Sequence, residues 1–276
     1  MKYKMLCTDM DGTLLNSNKD ISDRTKEAIK KAHEKGVHIV VSTGRMFNSA
    51  NYYADMLHIK APIISANGAF IREKDKNDVI YKNVLGKDKC NSLLKVLQKH
   101  KVHAHFHTPN AMFSDKMVFS AKIYSDMNSY LPEDNKIDIH IVEKDWEQIF
   151  EKYEDSIVKC IAIDEDVEKI QNVKSEIMRM SGIEVVSSYE NNCEIMTEGV
   201  SKGRGVEILA GYYGLNPEEI ICIGDNENDL SMIKVAGLGI AMGNAPEDIK
   251  KQADYVTDNN DSDGVAKAIE KFILNS

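Results

Sequence analysis

The stretch Tyr3-Lys4-Met5-Leu6-Cys7-Thr8-Asp9-Met10-Asp11-Gly12-Thr13 is a short, mostly apolar run that stops abruptly at two carboxylates. Tyr3 to Thr8 predicts a strand. The acidic end of the run has two readings: a solvated turn punctuated by Gly12, or a pair of acids presented at a strand's carboxyl end. The neighbouring segments decide between them. Asp20 or Ser22 can cap a helix with Thr25, Ala28, Ile29 and Ala32 on its apolar side, and Gly36 stops it. Val37 to Val41 is a solid β-branched run ending at Ser42-Thr43-Gly44-Arg45, and next comes a helix with Phe47, Ala50, Ala54 and Leu57 on one face. Pro62 to Ser65 predicts a third strand, ending at Ala66-Asn67-Gly68. Uninterrupted apolar strands joined by helices predict a parallel sheet covered on both faces.

The C-terminal stretch has the same style. Ile220 to Ile223 predicts a strand ending at Gly224-Asp225, Gly239 to Met242 predicts another, and Val265, Ala268, Ile269 and Phe272 keep helical spacing. The middle differs, because its strand-like segments alternate. Val102, Ala104 and Phe106 face one way and His103, His105 and His107 the other. Val158 to Ile163 and Ile183 to Val186 predict further strands, with a helix over Asp166 to Met180 between them carrying Ile170, Val173 and Ile177 inward. The expected architecture is an α/β protein: a Rossmann-like parallel-sheet core, residues 1–84 and 189–276, with an inserted α+β domain over 85–188.

The 276 residues, 42% hydrophobic and 29% charged, have the composition of a soluble globular chain. Their formal net charge of −9 argues against a general nucleic-acid or membrane-surface binder. Five scattered cysteines without a CxxC pair predict reduced thiols, and Cys7, Cys160 and Cys222 lie inside apolar runs. Lys2 and Lys4 bring charge at once, so no apolar signal core opens the chain, and no apolar run reaches membrane-span length. A cytoplasmic protein is expected.

In a parallel α/β sheet the ligand site lies beyond the carboxyl ends of the strands. Asp9 and Asp11, Thr43-Gly44-Arg45, and Gly224-Asp225-Asn226-Glu227-Asn228-Asp229 all fall there, while Ser201-Lys202-Gly203 opens a helix. Several carboxylates on one spot repel unless a cation lies between them, and all-oxygen ligands suit Mg²⁺. One carboxylate could then attack phosphorus, and a second could protonate the leaving alcohol. Lys202, with the hydroxyl and backbone N–H groups around Thr43 and Gly44, could hold the transferring oxygens. The metal and the lysine would also supply the positive charge that an acidic protein needs for an anionic substrate.

These four segments, taken in their order along the chain, resemble the signature motifs of the haloacid dehalogenase (HAD) superfamily. The large insert between the second and third motifs, with Asn67-Gly68 after the third strand, resembles the Cof-type sugar-phosphatase branch, whose α/β cap is of the C2B type. The resemblance covers essentially the whole chain, the cap by position and size more than by motif. It implies that Asp9 is nucleophile and metal ligand, and that Asp11 is the acid/base, binding metal through its backbone carbonyl. The Met10 backbone, Thr43, Gly44 and Asn228 would contact the phosphoryl group, and Lys202 would neutralise it and steady Asp9. Asp225 would complete the metal site, with Asp229 holding metal-bound water or orienting Lys202. Asn67 and Arg45 are further candidate substrate contacts; Arg45 could equally pair with an acidic neighbour.

The expected function is therefore Mg²⁺-dependent hydrolysis of small phosphorylated metabolites, sugar phosphates foremost, through a phospho-aspartate. A phosphomutase of the phosphomannomutase type and a non-catalytic sugar-phosphate-binding regulator are the alternatives. Oligomeric state is not legible. His103, His105 and His107 are expected on a solvated face; a face that reads substrate, or a metal set, are the other readings.

Overall fold

The structure, a computed structural model, describes residues 2–73 and 78–275 and divides into two compact units. The first comprises Met1–Gly44, Tyr53–Tyr81 and Ser201–Ser276; the second comprises Arg45–Tyr52 and Lys82–Val200. The expected boundary after residue 188 is corrected by the chain itself. Asn192–Thr197 is a strand paired to Lys159–Ile163 and Ile183–Val186, so it belongs to the second unit's sheet.

In chain order the strands are β1 (Met5–Thr8), β2 (His38–Ser42), β3 (Ile63–Ser65), β4 (Phe70–Arg72) and β5 (Val79–Lys82). The second unit adds β6 (His103–His107), β7 (Ala111–Ser114), β8 (Asp138–Ile141), β9 (Lys159–Ile163), β10 (Ile183–Val186) and β11 (Asn192–Thr197). The chain then returns to the first unit with β12 (Ile220–Gly224), β13 (Leu238–Ala241) and β14 (Tyr255–Val256).

The first unit's sheet has the order β14-β13-β12-β1-β2-β3-β4-β5, parallel from β14 to β3, with β3 and β4 antiparallel. β1 is central, every residue of it buried, as its unbroken apolar sequence requires. Helix α1 (Asp23–Glu34) starts where Ser22 accepts a hydrogen bond from Thr25 N at 3.1 Å, and it buries Thr25, Ala28, Ile29 and Ala32. Such a cap is worth about 1 kcal/mol. α2 (Phe47–Asp55) comes after β2.

In the second unit, α3 (Gly86–His100), α4 (Phe119–Met127), α5 (Trp146–Lys152) and α6 (Val167–Ile177) accompany a sheet of order β10-β11-β9-β6-β7-β8. One sheet face carries Ala104, Phe106, Phe113, Cys160, Ala162 and Ile195, packed with Leu93 and Leu97 of α3, Phe150 of α5 and Ile170, Val173 and Ile177 of α6. The opposite face overturns one expectation. His105 and His107 are 0% and 1% exposed, and their ring nitrogens have no hydrogen-bond partner among the described residues. Alternation told which residues share a face, but not that α4 places Tyr124 edge-on to His107 and Phe119 near His103. Lys159 and Glu194 form a buried ion pair at 2.7 Å in the same sheet. His103 stays half-exposed beside Asp115, 3.0 Å away.

The C-terminal part contains α7 (Lys202–Tyr213), α8 (Leu230–Val235), α9 (Glu247–Lys250) and α10 (Gly264–Ile269). α10 runs into a π-helical turn over Glu270–Leu274. That wider turn advances the inward position by one residue, so Ile273 is buried instead of the expected Phe272. All five cysteines are free and buried. Among the described residues, no helix is long and apolar enough to cross a membrane.

Candidate active site

Backbone bonds between adjacent strands gather the first unit's strand ends. Asp9 N donates to Ile223 O at 2.9 Å, tying the end of β1 to β12. Thr43 N donates to Ile64 O at 2.8 Å and Thr43 O accepts from Asn67 N at 3.0 Å, tying β2 to the turn after β3. Leu14 N and Leu15 N donate back to Asp9 O and Met10 O at 3.2 and 2.9 Å. The acidic stretch is thus folded onto itself directly beyond β1.

At the centre, Lys202 Nζ donates to Asp9 Oδ1 and to Asp229 Oδ1, each at 2.6 Å. All three side chains are essentially withdrawn from water. Ser201 caps α7 by accepting from Arg204 N, which fixes Lys202 as the first helical residue. Asp229 is held in turn, because its Oδ2 accepts from the backbone N–H groups of Asp225 and Asn226 at 2.9 and 3.0 Å. Thr13 Oγ1 donates to Asp225 Oδ1 at 2.9 Å.

Glycine is needed where these parts touch. A β-carbon on Gly12 would lie 2.5 Å from Asp225 Oδ2, and one on Gly224 would lie 2.4 Å from Asp229 Cβ. Gly12 also has φ +79°, a conformation side chains rarely take. Asn67, itself at φ +55°, accepts from Asn228 Nδ2 at 3.2 Å. Asn67 and Asn228, expected separately as substrate contacts, therefore meet from segments 161 residues apart.

Carboxylate oxygens of Asp9, Asp225 and Asp229 lie within 4.8 Å of one another. Three carboxylates meet one ammonium, leaving two formal negative charges in a nearly dry space. Burial, with repulsion from Asp229 and then Asp225, holds Asp9 well above the ordinary carboxylate range, although Lys202 pulls it down. Burial and Asp229 push Asp225 up to about 6, against the pull of Thr13 and Lys202. For Lys202, burial works to lower the value, but Asp229 and Asp9 outweigh it and the ammonium stays charged. The donor set is all oxygen and carries an uncompensated negative charge. A hard divalent cation fits both features.

Of the four expected metal ligands, three converge. The Asp11 carboxylate instead pairs with Lys19 Nζ at 2.9 Å, which leaves only the expected backbone route to a metal. Met10 and Thr43 are buried at the strand ends, and Gly44 closes the first unit's opening segment. Arg45 falls in the second unit, where its guanidinium donates to Ser49 Oγ at 3.1 Å. Two contacts escaped sequence reasoning. Thr13 stood inside the quoted motif but had no assigned role, and Lys19 carried no local signal at all.

The first unit is a parallel α/β sheet with carboxylates at its strand ends and a buried lysine at the start of α7, and comparison with known proteins names the class of hydrolase to which this arrangement belongs. Residues 6–269 match the haloacid dehalogenase-like hydrolase family. The chain belongs to that family. It is 31% identical over 271 residues, 98% of this chain and 96% of the relative, to the 5-amino-6-(5-phospho-D-ribitylamino)uracil phosphatase YcsE of Bacillus subtilis. Among solved structures, a haloacid dehalogenase-like hydrolase from Bacteroides thetaiotaomicron is 33% identical, with TM-score 0.82, over 99% of this chain and 100% of that one. A HAD subclass IIB sugar phosphatase is 27% identical, with TM-score 0.79, over 98% of each chain. The expected Cof-type branch and the expected enzyme class, a phosphoric monoester hydrolase, agree with these relatives.

Proposed function

We propose that this protein is a Mg²⁺-dependent phosphatase of small phosphorylated metabolites, acting through a phospho-Asp9 intermediate. The observation that carries the reading is the buried Lys202 ammonium bonded to both Asp9 and Asp229, with Asp225 completing an oxygen cluster. Asp9, Asp225 and the Asp11 carbonyl would hold the ion, and Asp229 would hold water on it. When bound, the metal neutralises charge on the phosphoryl oxygens and on the carboxylates. Asp9 attacks phosphorus while Asp11 gives a proton to the leaving oxygen. Water then attacks phospho-Asp9, returns a proton to Asp11 and releases inorganic phosphate. Lys202, Thr43, Gly44, the Met10 backbone and Asn228 hold the transferring oxygens, with Asn67 buttressing Asn228.

The substrate class we favour is phosphorylated sugars and sugar alcohols. The relatives include a sugar phosphatase and a phosphatase of a phosphoribityl compound, and the net charge of −9 disfavours a polyanionic substrate such as nucleic acid. We take the first unit as the catalytic core, the second as the cap, and the cytoplasm as the site of action. The test is a panel of sugar and polyol phosphates assayed for phosphate release with Mg²⁺ and with EDTA. Chelation and Asp9→Asn are each expected to lower kcat/KM by at least about a thousandfold. Turnover undiminished in the Asn variant would refute the mechanism, and isomerisation without phosphate release would point to a mutase.

A further inference from the structure

Lys19 lies outside every motif that the family assignment uses, yet the loop that carries it is closely built. The Asn16 side-chain oxygen accepts from Asn18 N and Asp20 N at 2.9 and 3.0 Å. Asn16 N donates to Asp20 O, and Lys19 N to Asn16 O, each at 2.9 Å. The turn places Lys19 at φ +60°, where a residue with a side chain is uncommon and Gly or Asn would be easier to accommodate.

Distant residues tie the same loop down. Ser17 N and Oγ donate to the Asp261 carboxylate at 2.8 and 2.7 Å. Asn260 Nδ2 donates to Leu15 O at 2.9 Å, and Asn244 Nδ2 donates to Gly12 O at 2.8 Å. Asn260 N donates to Asn244 Oδ1, joining the two supports. The outcome is an ammonium 2.9 Å from Asp11 Oδ1, reaching back eight residues.

An exposed Lys–Asp pair adds little to stability, and Lys19 is about half exposed. Stability therefore does not account for a strained lysine on a loop anchored from several sides. What the arrangement fixes is the direction of the Asp11 carboxylate. That contact serves the protonated acid as well as the carboxylate, because a neutral carboxyl keeps an acceptor oxygen for the Lys19 ammonium.

We propose that Lys19 is a positioning residue that aims Asp11 at the leaving-group oxygen. The proposal rests on the phosphatase reading of the same site. As the bond between Asp9 oxygen and phosphorus forms, the bond from phosphorus to the leaving oxygen breaks. The Asp11 proton passes to that oxygen, so an alcohol departs neutral. A nitrophenolate departs without needing the proton. Loss of Lys19 should therefore harm the two kinds of substrate unequally, whereas simple damage to the loop would harm both alike.

The experiment compares an alkyl phosphate, glycerol 3-phosphate, with p-nitrophenyl phosphate in wild type, Lys19→Met, Lys19→Arg and Asp9→Asn, all with Mg²⁺. Lys19→Met is expected to lose about 10- to 30-fold in kcat/KM on the alkyl ester, a part of the roughly 10²- to 10⁴-fold that a well-placed general acid supplies, and under about threefold on the aryl ester. Lys19→Arg should restore most of the loss. An equal loss on both esters, or none on either, overturns the role of Lys19 while Asp9→Asn remains inactive. Full activity of Asp9→Asn overturns the phosphatase mechanism instead, and a wild type inactive on both esters removes both.

Discussion

Lys202 has to satisfy two carboxylates at once, and its short, compact ammonium does so from the first turn of α7. A guanidinium is planar, wider and fixed in its fork, so arginine is not a substitute in so small a space. Lys202→Met and Lys202→Arg are each expected to lower kcat by about 10²- to 10³-fold, as removal of a preorganised charge contact does. Metal binding should respond differently. Without the ammonium the three carboxylates repel more strongly, so Mg²⁺ should raise the Tm of Lys202→Met at least as much as that of wild type. Melting curves with and without Mg²⁺ check this, and a smaller rise would contradict the charge argument. At this scale the sequence was informative wherever chemistry required a rare residue at a strand end or a helix start, as with Asp9 and Asp225 and with Lys202. It said little where the partner comes from a remote loop. Nothing near Lys19 signals Asp11, and nothing near Asn67 signals Asn228.

The glycines of α7 show how an element, rather than a side chain, is positioned. A β-carbon on Gly203 would lie 2.4 Å from Ser231 O, and one on Gly205 would lie 2.7 Å from Ile64 Cγ2. The helix presses so closely on α8 and β3 that it gives up the roughly 1 kcal/mol of helix propensity that alanine would add at each position. Gly211, further along the same helix, has nothing within 4 Å of its would-be β-carbon. Gly211→Ala should thus be neutral or stabilising by up to about 1 kcal/mol with unchanged kcat. Gly203→Ala should displace the start of α7, lowering Tm and reducing kcat by about 10²-fold through misplaced Lys202. Thermal melts and initial rates on both variants test the contrast, and it fails if Gly203→Ala behaves like Gly211→Ala. The buried parallel strands were legible because covered strands have to be solidly apolar. β4 and β11 were not, since Phe70-Ile71-Arg72 is too short to show a period and Asn192 to Thr197 mixes buried Asn and Glu with apolar residues.

For the molecule as a whole, acidification acts on the second unit through its buried imidazoles. Burial is the main force lowering His105, to about 4, with Asp115 opposing it and His103 assisting it. His107 is held well below the usual imidazole range by burial first, then by Lys159 and His105. In the unfolded chain each titrates near 6.5. Between those values the unfolded chain binds protons that the folded chain refuses, so stability is fully present above about pH 6.5 and falls as pH drops toward 4. For His105 the complete loss is roughly 3 kcal/mol. His105→Leu should flatten the decline of Tm between pH 7 and pH 4.5 relative to wild type, and parallel declines would show that His105 is not responsible. The sequence placed the three histidines on one face but assigned it to solvent. The packing of Phe119 and Tyr124 against that face is a tertiary fact, beyond any periodicity.

The position of β1 at the middle of its sheet has a consequence for how the protein comes into being. On one side it pairs with β2, made soon afterwards, but on the other Met5 to Thr8 pair with Ile220 to Ile223. A ribosome must therefore deliver more than two hundred further residues before that flank can close. Meanwhile nearly all of the second unit, Lys82–Val200, has been synthesised as one continuous stretch that is free to fold. Until then Asp9 has neither Lys202 nor Asp229 beside it. The reactive centre is assembled last, by the arrival of Lys202 and Asp229, so a nascent or prematurely terminated chain has no half-built site with which to sequester phosphorylated metabolites.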